Sequence, residues 1–260
     1  MTQICLVPGL VLYALASLFY LILLFGYPTG SVAKVCTFLG VLLQLLYLVL
    51  FYLLERGMPV VTGIGDILFF VSLGSVFLFL WFLFRYRLQS LGAFFLPLAF
   101  MLFVFSLDKT HDSFYLVYAF SKNRWFLGTH LVSALLSLVF LFGCFVLGLS
   151  FWLHERRLKE KKLDALTFNL PPLMLNEKLA LNLLKIGFVF LTLVLISGSM
   201  LLSHVVLSIG QRAWHIAFAI VAWTVYALVL NRHWTGVRGK KILLLSFLGF
   251  ASLAALILWN

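Results

Sequence analysis

The 260-residue chain is 64% hydrophobic and 17% aromatic, only 10% of it is charged, and its mean hydropathy is +1.13. Soluble domains carry about 25% charged residues, so a water-exposed globule is excluded for want of polar side chains to clothe it. Nineteen Lys and Arg against eight Asp and Glu give a net charge of +11; in a membrane protein such an excess records topology and does not call for nucleic acid.

Spanning helices need about 20 mostly apolar residues, and the chain supplies them in succession. The first run, Cys5 to Phe25, lacks the basic preamble of a signal peptide and is expected as a retained first helix. It closes at Tyr27-Pro28-Thr29-Gly30 and is followed by Ala33 to Leu54, broken at Glu55-Arg56-Gly57-Met58-Pro59. Ile64 to Phe84 and Leu88 to Leu107 flank the turn Arg85-Tyr86-Arg87, and the polar stretch Asp108 to Arg124 leads into Phe126 to Leu153. A basic connection, His154 to Lys178, contains the Pro171-Pro172 break. Leu179 to Leu207, Ala213 to Leu230 and Ile242 to Trp259 complete the series. The expected fold is all-α: a polytopic integral membrane helical bundle of about eight transmembrane helices, forming a single transmembrane domain over residues 1–260 without an internal repeat.

Alternate connections lie on opposite sides of the bilayer. One set carries Lys34, Arg85, Arg87, Arg156, Arg157, Lys159, Lys161, Lys162, Lys178, Arg232, Arg238, Lys240 and Lys241; the other has Arg56, Lys109, Lys122, Arg124 and Arg212. The positive-inside rule places the first set in the cytoplasm and both termini outside, as expected for a bacterial inner-membrane protein.

This topology sorts the histidines. His130 begins the fifth helix, His204 lies near the outer end of the sixth and His215 opens the seventh, so three consecutive helices carry histidines at one membrane level. Ser133 and Ser137 share a helix face with His130, and Ser197, Ser199 and Ser203 lead up to His204. Such faces are expected to point into the bundle, either building a ligand site or hydrogen-bonding between helices. His111 stands beside Asp108 and Asp112 in the outer loop, while His154 and His233 sit among the cytoplasmic cations. Asp66 is an intramembrane carboxylate candidate; Glu55 beside Arg56 reads as interfacial. Cys5, Cys36 and Cys144 form no Cys-x-x-Cys pair, and there is no nucleophile motif, phosphate-binding glycine loop or His/Glu metal motif. The chain is not expected to be an enzyme.

Several stretches carry a family likeness. Leu170-Pro171-Pro172-Leu173-Met174, then Glu177, Gly187-Phe188, Leu191-Thr192-Leu193 and Ser197-Gly198, resemble the connection and sixth helix of the HemX/YpjD branch of cytochrome c assembly (CcsA/CcmC-like) membrane proteins. Ala222-Trp223-Thr224-Val225-Tyr226 and Gly236-Val237-Arg238-Gly239-Lys240-Lys241 resemble a later helix and loop of that family, and the helix beginning at His130 resembles its first outer-histidine helix. The likeness covers roughly residues 127 to 250 and is weaker from Arg56 to Leu68.

The resemblance implies a haem-handling scaffold. Family members that carry out attachment place a Trp-Trp-Asp segment between two outer histidines; here Val205 to Trp214 holds one Trp, and only His130 falls on a family ligand position. Such departures match the HemX/YpjD branch, whose members are associated with control of early tetrapyrrole synthesis. The expected function is that of a haem-associated membrane protein binding or sensing haem b in an outward pocket. His130 would be the ligand to the iron, and His204 and His215 the further cofactor-binding candidates. The segment 154–178 would meet membrane lipid or a cytoplasmic or membrane protein partner, with no role for nucleic acid. A structural or regulatory subunit without haem is the alternative, and a haem or small-molecule exporter a third reading with no motif behind it.

Overall fold

The computed structural model describes residues 3–50, 63–107, 124–162, 164–201, 209–231 and 245–253, and these contain no β-strand. The described helices are α1 (Gln3–Leu24), α2 (Gly30–Val49), α3 (Ile64–Tyr86), α4 (Gly92–Phe105), α5 (Arg124–Lys159), α6 (Ala165–Asn169), α7 (Leu173–Leu201) and α8 (Ile209–Leu230). A 3-10 turn, Gln89–Leu91, leads into α4, and a further helical stretch covers residues 245–253. Five are apolar over a spanning length: Leu6–Leu24, Gly30–Val49, Ile64–Tyr86, Gly128–Lys159 and Leu173–Met200. The apolar stretches Gln89–Phe105 and Ile216–Leu230 are shorter. The chain is an integral membrane protein by this pattern.

The helices run further into the basic connection than the apolar pattern alone indicates. α5 continues through Lys159 and α7 starts at Leu173, so only a short segment with α6 in it separates them. The reason is local: Glu155–Lys159 and Arg156–Glu160 are i,i+4 pairs, at 2.6 and 2.8 Å, that carry helical structure past the apolar residues. The helix stops where Lys161 turns to φ 55° and the Lys162 amide reaches back to the Arg157 carbonyl at 3.1 Å, a Schellman-type ending. At ~1.5 Å per residue, 36 residues make α5 about 54 Å long, well beyond a ~30 Å hydrocarbon core.

Two compact units make up the chain: Met1–Val61 with Gly65–Thr110 and Leu153–Leu173, and Thr62–Ile64 with His111–Trp152 and Met174–Asn260. The first is an up-and-down ring of four helices. Tyr13 on α1 donates to Gln44 Oε1 on α2 at 2.7 Å and meets Phe103 of α4 edge-on, with centroids 5.9 Å apart. Phe69 on α3 packs against both Tyr47 of α2 and Phe103 of α4, and Ser72 donates to the Ala99 carbonyl at 2.8 Å. Lipid tails are as apolar as leucine, so burial alone does not hold such helices together; dispersion, edge-to-face rings and interhelical hydrogen bonds do. Lipid also accepts the outer faces, where Val7, Leu18 and Trp81 lie exposed.

One end of this unit is sealed by the segment after α5. The turn that follows α1 contains Gly26, whose φ of +98° suits a residue without a Cβ. The Asn169 side chain of α6 donates to the Leu23 and Leu24 carbonyls at the end of α1, at 3.3 and 3.2 Å, the former also accepting from the Gly26 amide. α6 itself is N-capped by Asp164, which accepts from the Thr167 amide at 3.1 Å. Lys34, Arg85, Arg87 and the cations from Arg156 to Lys162 therefore gather at one end of the unit, as the charge count requires of residues on one membrane side.

The second unit is again a ring of four helical segments. α5 and α7 run antiparallel, with Ser137 donating to the Gly187 carbonyl at 3.2 Å and Phe140 stacked on Phe190 at 6.0 Å. Trp223 of α8 donates to Thr192 of α7 at 3.0 Å. Tyr226 of α8 donates to the Ser246 carbonyl at 3.4 Å, and Phe250 closes the ring against Phe142 and Phe145 of α5.

Candidate functional site at the start of α5

His130 lies two turns into α5, some 26 residues before Arg156 and hence about 39 Å from it along the helix. The histidine and the basic tail thus belong to opposite ends of one long helix. Its ring is half-buried, with Gly128 and Thr129 exposed beside it. Nδ1 lies 3.0 Å from Ser197 Oγ on α7. Ser197 Oγ in turn donates to the Leu193 carbonyl at 2.7 Å and approaches the Val194 carbonyl at 3.2 Å. Gly198 completes the contact: a Cβ there would stand 3.2 Å from His130 Cε1, so the absence of a side chain lets the ring lie on the helix.

The inward face expected around His130 is present. Ser133 and Ser137 are buried, the latter engaged with the Gly187 carbonyl. On α7 only part of the expected serine face turns in. Ser197 is buried, whereas Ser199 is exposed and donates to the carbonyl of Ile196 in its own helix. Residues two apart on an α-helix point about 200° apart, so the two cannot share a face. Ser203 and His204 lie outside the described residues. α8 starts at Ile209, so His215 stands nearly two turns inside it and does not open the helix; its side chain is outside the described residues. His111 and His233 are outside them as well.

Other flagged residues have structural partners. His154 is buried, and its Nδ1 donates to the Pro171 carbonyl at 2.8 Å, which ties the end of α5 to the proline break. Asp66 occupies the first turn of α3, where the helix dipole favours a carboxylate. In the basic tail, ion pairs join Arg157 to Asp164 at 2.7 Å and Lys162 to Glu160 at 2.8 Å, beside the two helical pairs. Hydrogen bonds from Lys162 and then Arg156 hold the Glu160 carboxyl down to about 2. Those from the Thr167 hydroxyl and amide, with the Arg157 charge, hold Asp164 below its usual value. Three carboxylates therefore offset much of the five-cation run, and Lys161 stands outside the pairs.

Among the described residues no three or more His, Cys, Asp or Glu side chains come together as a metal site. A haem iron asks less, one or two axial ligands. His130 fits that demand: one ring nitrogen is engaged by Ser197, and the ring lies against a residue without a side chain. The motif residues are explained by packing of the same helices. Gly187 faces Leu141, Ser197 and Gly198 face His130, and Trp223 and Tyr226 join α8 to its neighbours. Nothing in the sequence tells that Ser197, and not Ser199 or Ser203, is the partner of His130; the antiparallel register of α5 and α7 decides it.

The family model described as Cytochrome C assembly protein matches residues 61–258, more than half of the chain. No curated protein and no solved structure matches it significantly.

Proposed function

Because this chain belongs to the cytochrome c assembly protein family, which ties it to haem-related cytochrome c maturation, we propose that it binds or senses haem through His130 at the outer end of α5. The family supplies the ligand class, and the observation that carries the residue is the His130–Ser197–Gly198 contact, which holds one imidazole near a helix end through Nδ1. A bound haem b would supply an iron centre taking an axial imidazole. His130 would hold it, with His204 or His215 as the candidates for a second ligand. The described residues around His130 orient the ring, and the protein would act as a haem-associated scaffold and not as an enzyme.

We place it in the HemX/YpjD branch and in the bacterial inner membrane, with about eight spanning helices, both termini outside and the basic end in the cytoplasm. The connection 154–178 would meet lipid headgroups or a cytoplasmic or membrane protein partner. Full-length protein purified from haem-replete cells tests the reading: a Soret band with stoichiometric haem that His130→Ala removes is expected. A colourless, monodisperse wild type would overturn it.

A second reading, a haem-free structural or regulatory subunit, draws on the same motif residues. Gly187, Ser197, Trp223 and Tyr226 all serve interhelical contacts, and a serine–histidine bond between helices is a common way to join them.

A further inference from the structure

We propose that Ser197 is a positioning residue that fixes the proton of His130 on Nδ1 and leaves Nε2 as the ligand nitrogen. The assignment rests on the haem reading only for the nature of the ligand. The tautomer follows from three contacts: His130 Nδ1 to Ser197 Oγ at 3.0 Å, Ser197 Oγ to the Leu193 carbonyl at 2.7 Å, and Ser197 Oγ to the Val194 carbonyl at 3.2 Å. A serine hydroxyl has one proton to give and two lone pairs to receive, whereas a carbonyl only accepts. If the hydroxyl donates to Leu193, its oxygen is free to accept from His130 Nδ1–H, and two hydrogen bonds form. If the hydroxyl donates to Nδ1 instead, the carbonyl contacts receive no proton and one bond is lost. Ser197 is buried between the two helices, so the arrangement that makes both bonds is favoured over the one that makes a single bond. Nδ1 therefore carries the proton, and the lone pair sits on Nε2, on the far side of the ring from Ser197.

This is the arrangement that iron requires of an imidazole, one nitrogen donating to a fixed acceptor and the other bare. Gly198 adds a steric constraint. With Ser197 gripping Nδ1 and the Gly198 backbone facing Cε1, the plane of the ring and the identity of its outward nitrogen are set together. Adjacent residues on α7 thus perform separate tasks on one side chain of α5: proton placement by Ser197 and clearance by Gly198.

The test uses the full chain, labelled with 15N at histidine, in detergent without haem, and separately titrated with haemin as the probe. The His130 signals are identified by their loss in His130→Gln. The expected result is a protonated Nδ1 and an unprotonated Nε2 for His130 in the wild type, retained in Ser197→Thr and lost or mixed in Ser197→Ala. Haemin affinity is expected to fall about 10- to 100-fold in Ser197→Ala, the usual cost of deleting an outer-shell partner, and to recover in Ser197→Thr. Thermal melting of each variant checks that the bundle is intact. An Nε2–H tautomer in the wild type, or a folded Ser197→Ala with wild-type tautomer and haemin affinity, overturns the assignment. The expected tautomer in a wild type that takes up no haemin supports the role of Ser197 in proton placement and overturns the haem reading alone.

Discussion

Gly198 lies under the His130 ring, so that a methyl group on its Cα would come within 3.2 Å of Cε1 and 3.6 Å of Nδ1. On the same helix Gly187 faces Leu141 of α5, where a Cβ would stand 2.8 Å from the side chain and 3.3 Å from the backbone nitrogen. Both glycines permit a close approach, but what they approach differs. A half-buried imidazole at a helix end can yield by a few tenths of an ångström; a leucine whose backbone is also in contact cannot. Gly198→Ala is expected to change stability by less than ~1 kcal/mol while displacing the ring and weakening haemin binding. Gly187→Ala is expected to cost ~1–3 kcal/mol, the range for overpacking. Melting curves and haemin titrations of the two variants check this, and equal stability losses would refute the distinction.

The helical run, the membrane class and the grouping of Lys34, Arg85, Arg87 and the cations from Arg156 to Lys162 at one end of the first unit were legible in the sequence, because they rest on long apolar blocks and on charge, which act locally. The inward turn of His130, Ser133 and Ser137 was legible too, since three residues at i, i+3 and i+7 share a face whatever surrounds them. The partner of His130 was not. Ser197, Ser199 and Ser203 are equivalent as letters, and only the packing of Phe140 on Phe190 and Leu141 on Gly187 sets which serine comes level with the ring. Nor does the sequence show that His154, among arginines and lysines, is buried against the Pro171 carbonyl. The proline break returns the chain onto the end of its own preceding helix, and that is a tertiary event.

The acid response of the basic tail follows from its carboxylates. Glu160 is lowered from its ordinary 4.5 to about 2, so its ionised form is favoured in the folded tail. The sign is that of a depressed acid: its contribution is complete above about 4.5 and is lost as pH falls toward 2. Asp164, also lowered, behaves in the same sense for the cap of α6. Hydrogen exchange, corrected for its intrinsic pH dependence, is expected to show constant protection of residues 156–169 from neutrality to about 4.5, then progressive loss. Glu160→Gln and Asp164→Asn are expected to remove that acid transition. Protection that already falls between pH 7 and 5 would contradict the ion-pair account.

Gathering of the cations at one end of the first unit gives a topology test that needs no cofactor. In a Cys5→Ser background, with Cys36 and Cys144 buried, cysteines placed at Lys34, Arg87 and Lys161 are expected to respond alike to a membrane-impermeant thiol reagent. All three stay unlabelled in intact cells and all three react in inverted vesicles. Labelling of all three from outside would reverse the orientation and place His130 at the cytoplasmic end. A split between Lys34 and Lys161 would instead contradict the docking of α6 on the end of α1.

Two buried amides make opposite predictions. Gln44 is 1% exposed and accepts from the Tyr13 hydroxyl at 2.7 Å; Asn176, near the start of α7, is 0% exposed, and neither its Oδ1 nor its Nδ2 has a hydrogen-bond partner among the described residues. Breaking a made bond leaves the surviving partner unsatisfied in an apolar interior, which costs ~1–3 kcal/mol. Tyr13→Phe is therefore expected to destabilise by about that amount. Adding Gln44→Leu should recover part of the loss, a non-additivity that a double-mutant cycle measures. At Asn176 the penalty is already present in the folded protein, so a side chain of similar volume without polar atoms relieves it. Asn176→Leu is expected to raise the melting temperature, with a gain of up to ~1–3 kcal/mol before any packing strain is subtracted. A clear loss of stability in Asn176→Leu, with Asn176→Gln or Asn176→Asp tolerated, would mean that the amide is engaged in the membrane-embedded protein and that its polarity contributes to the fold.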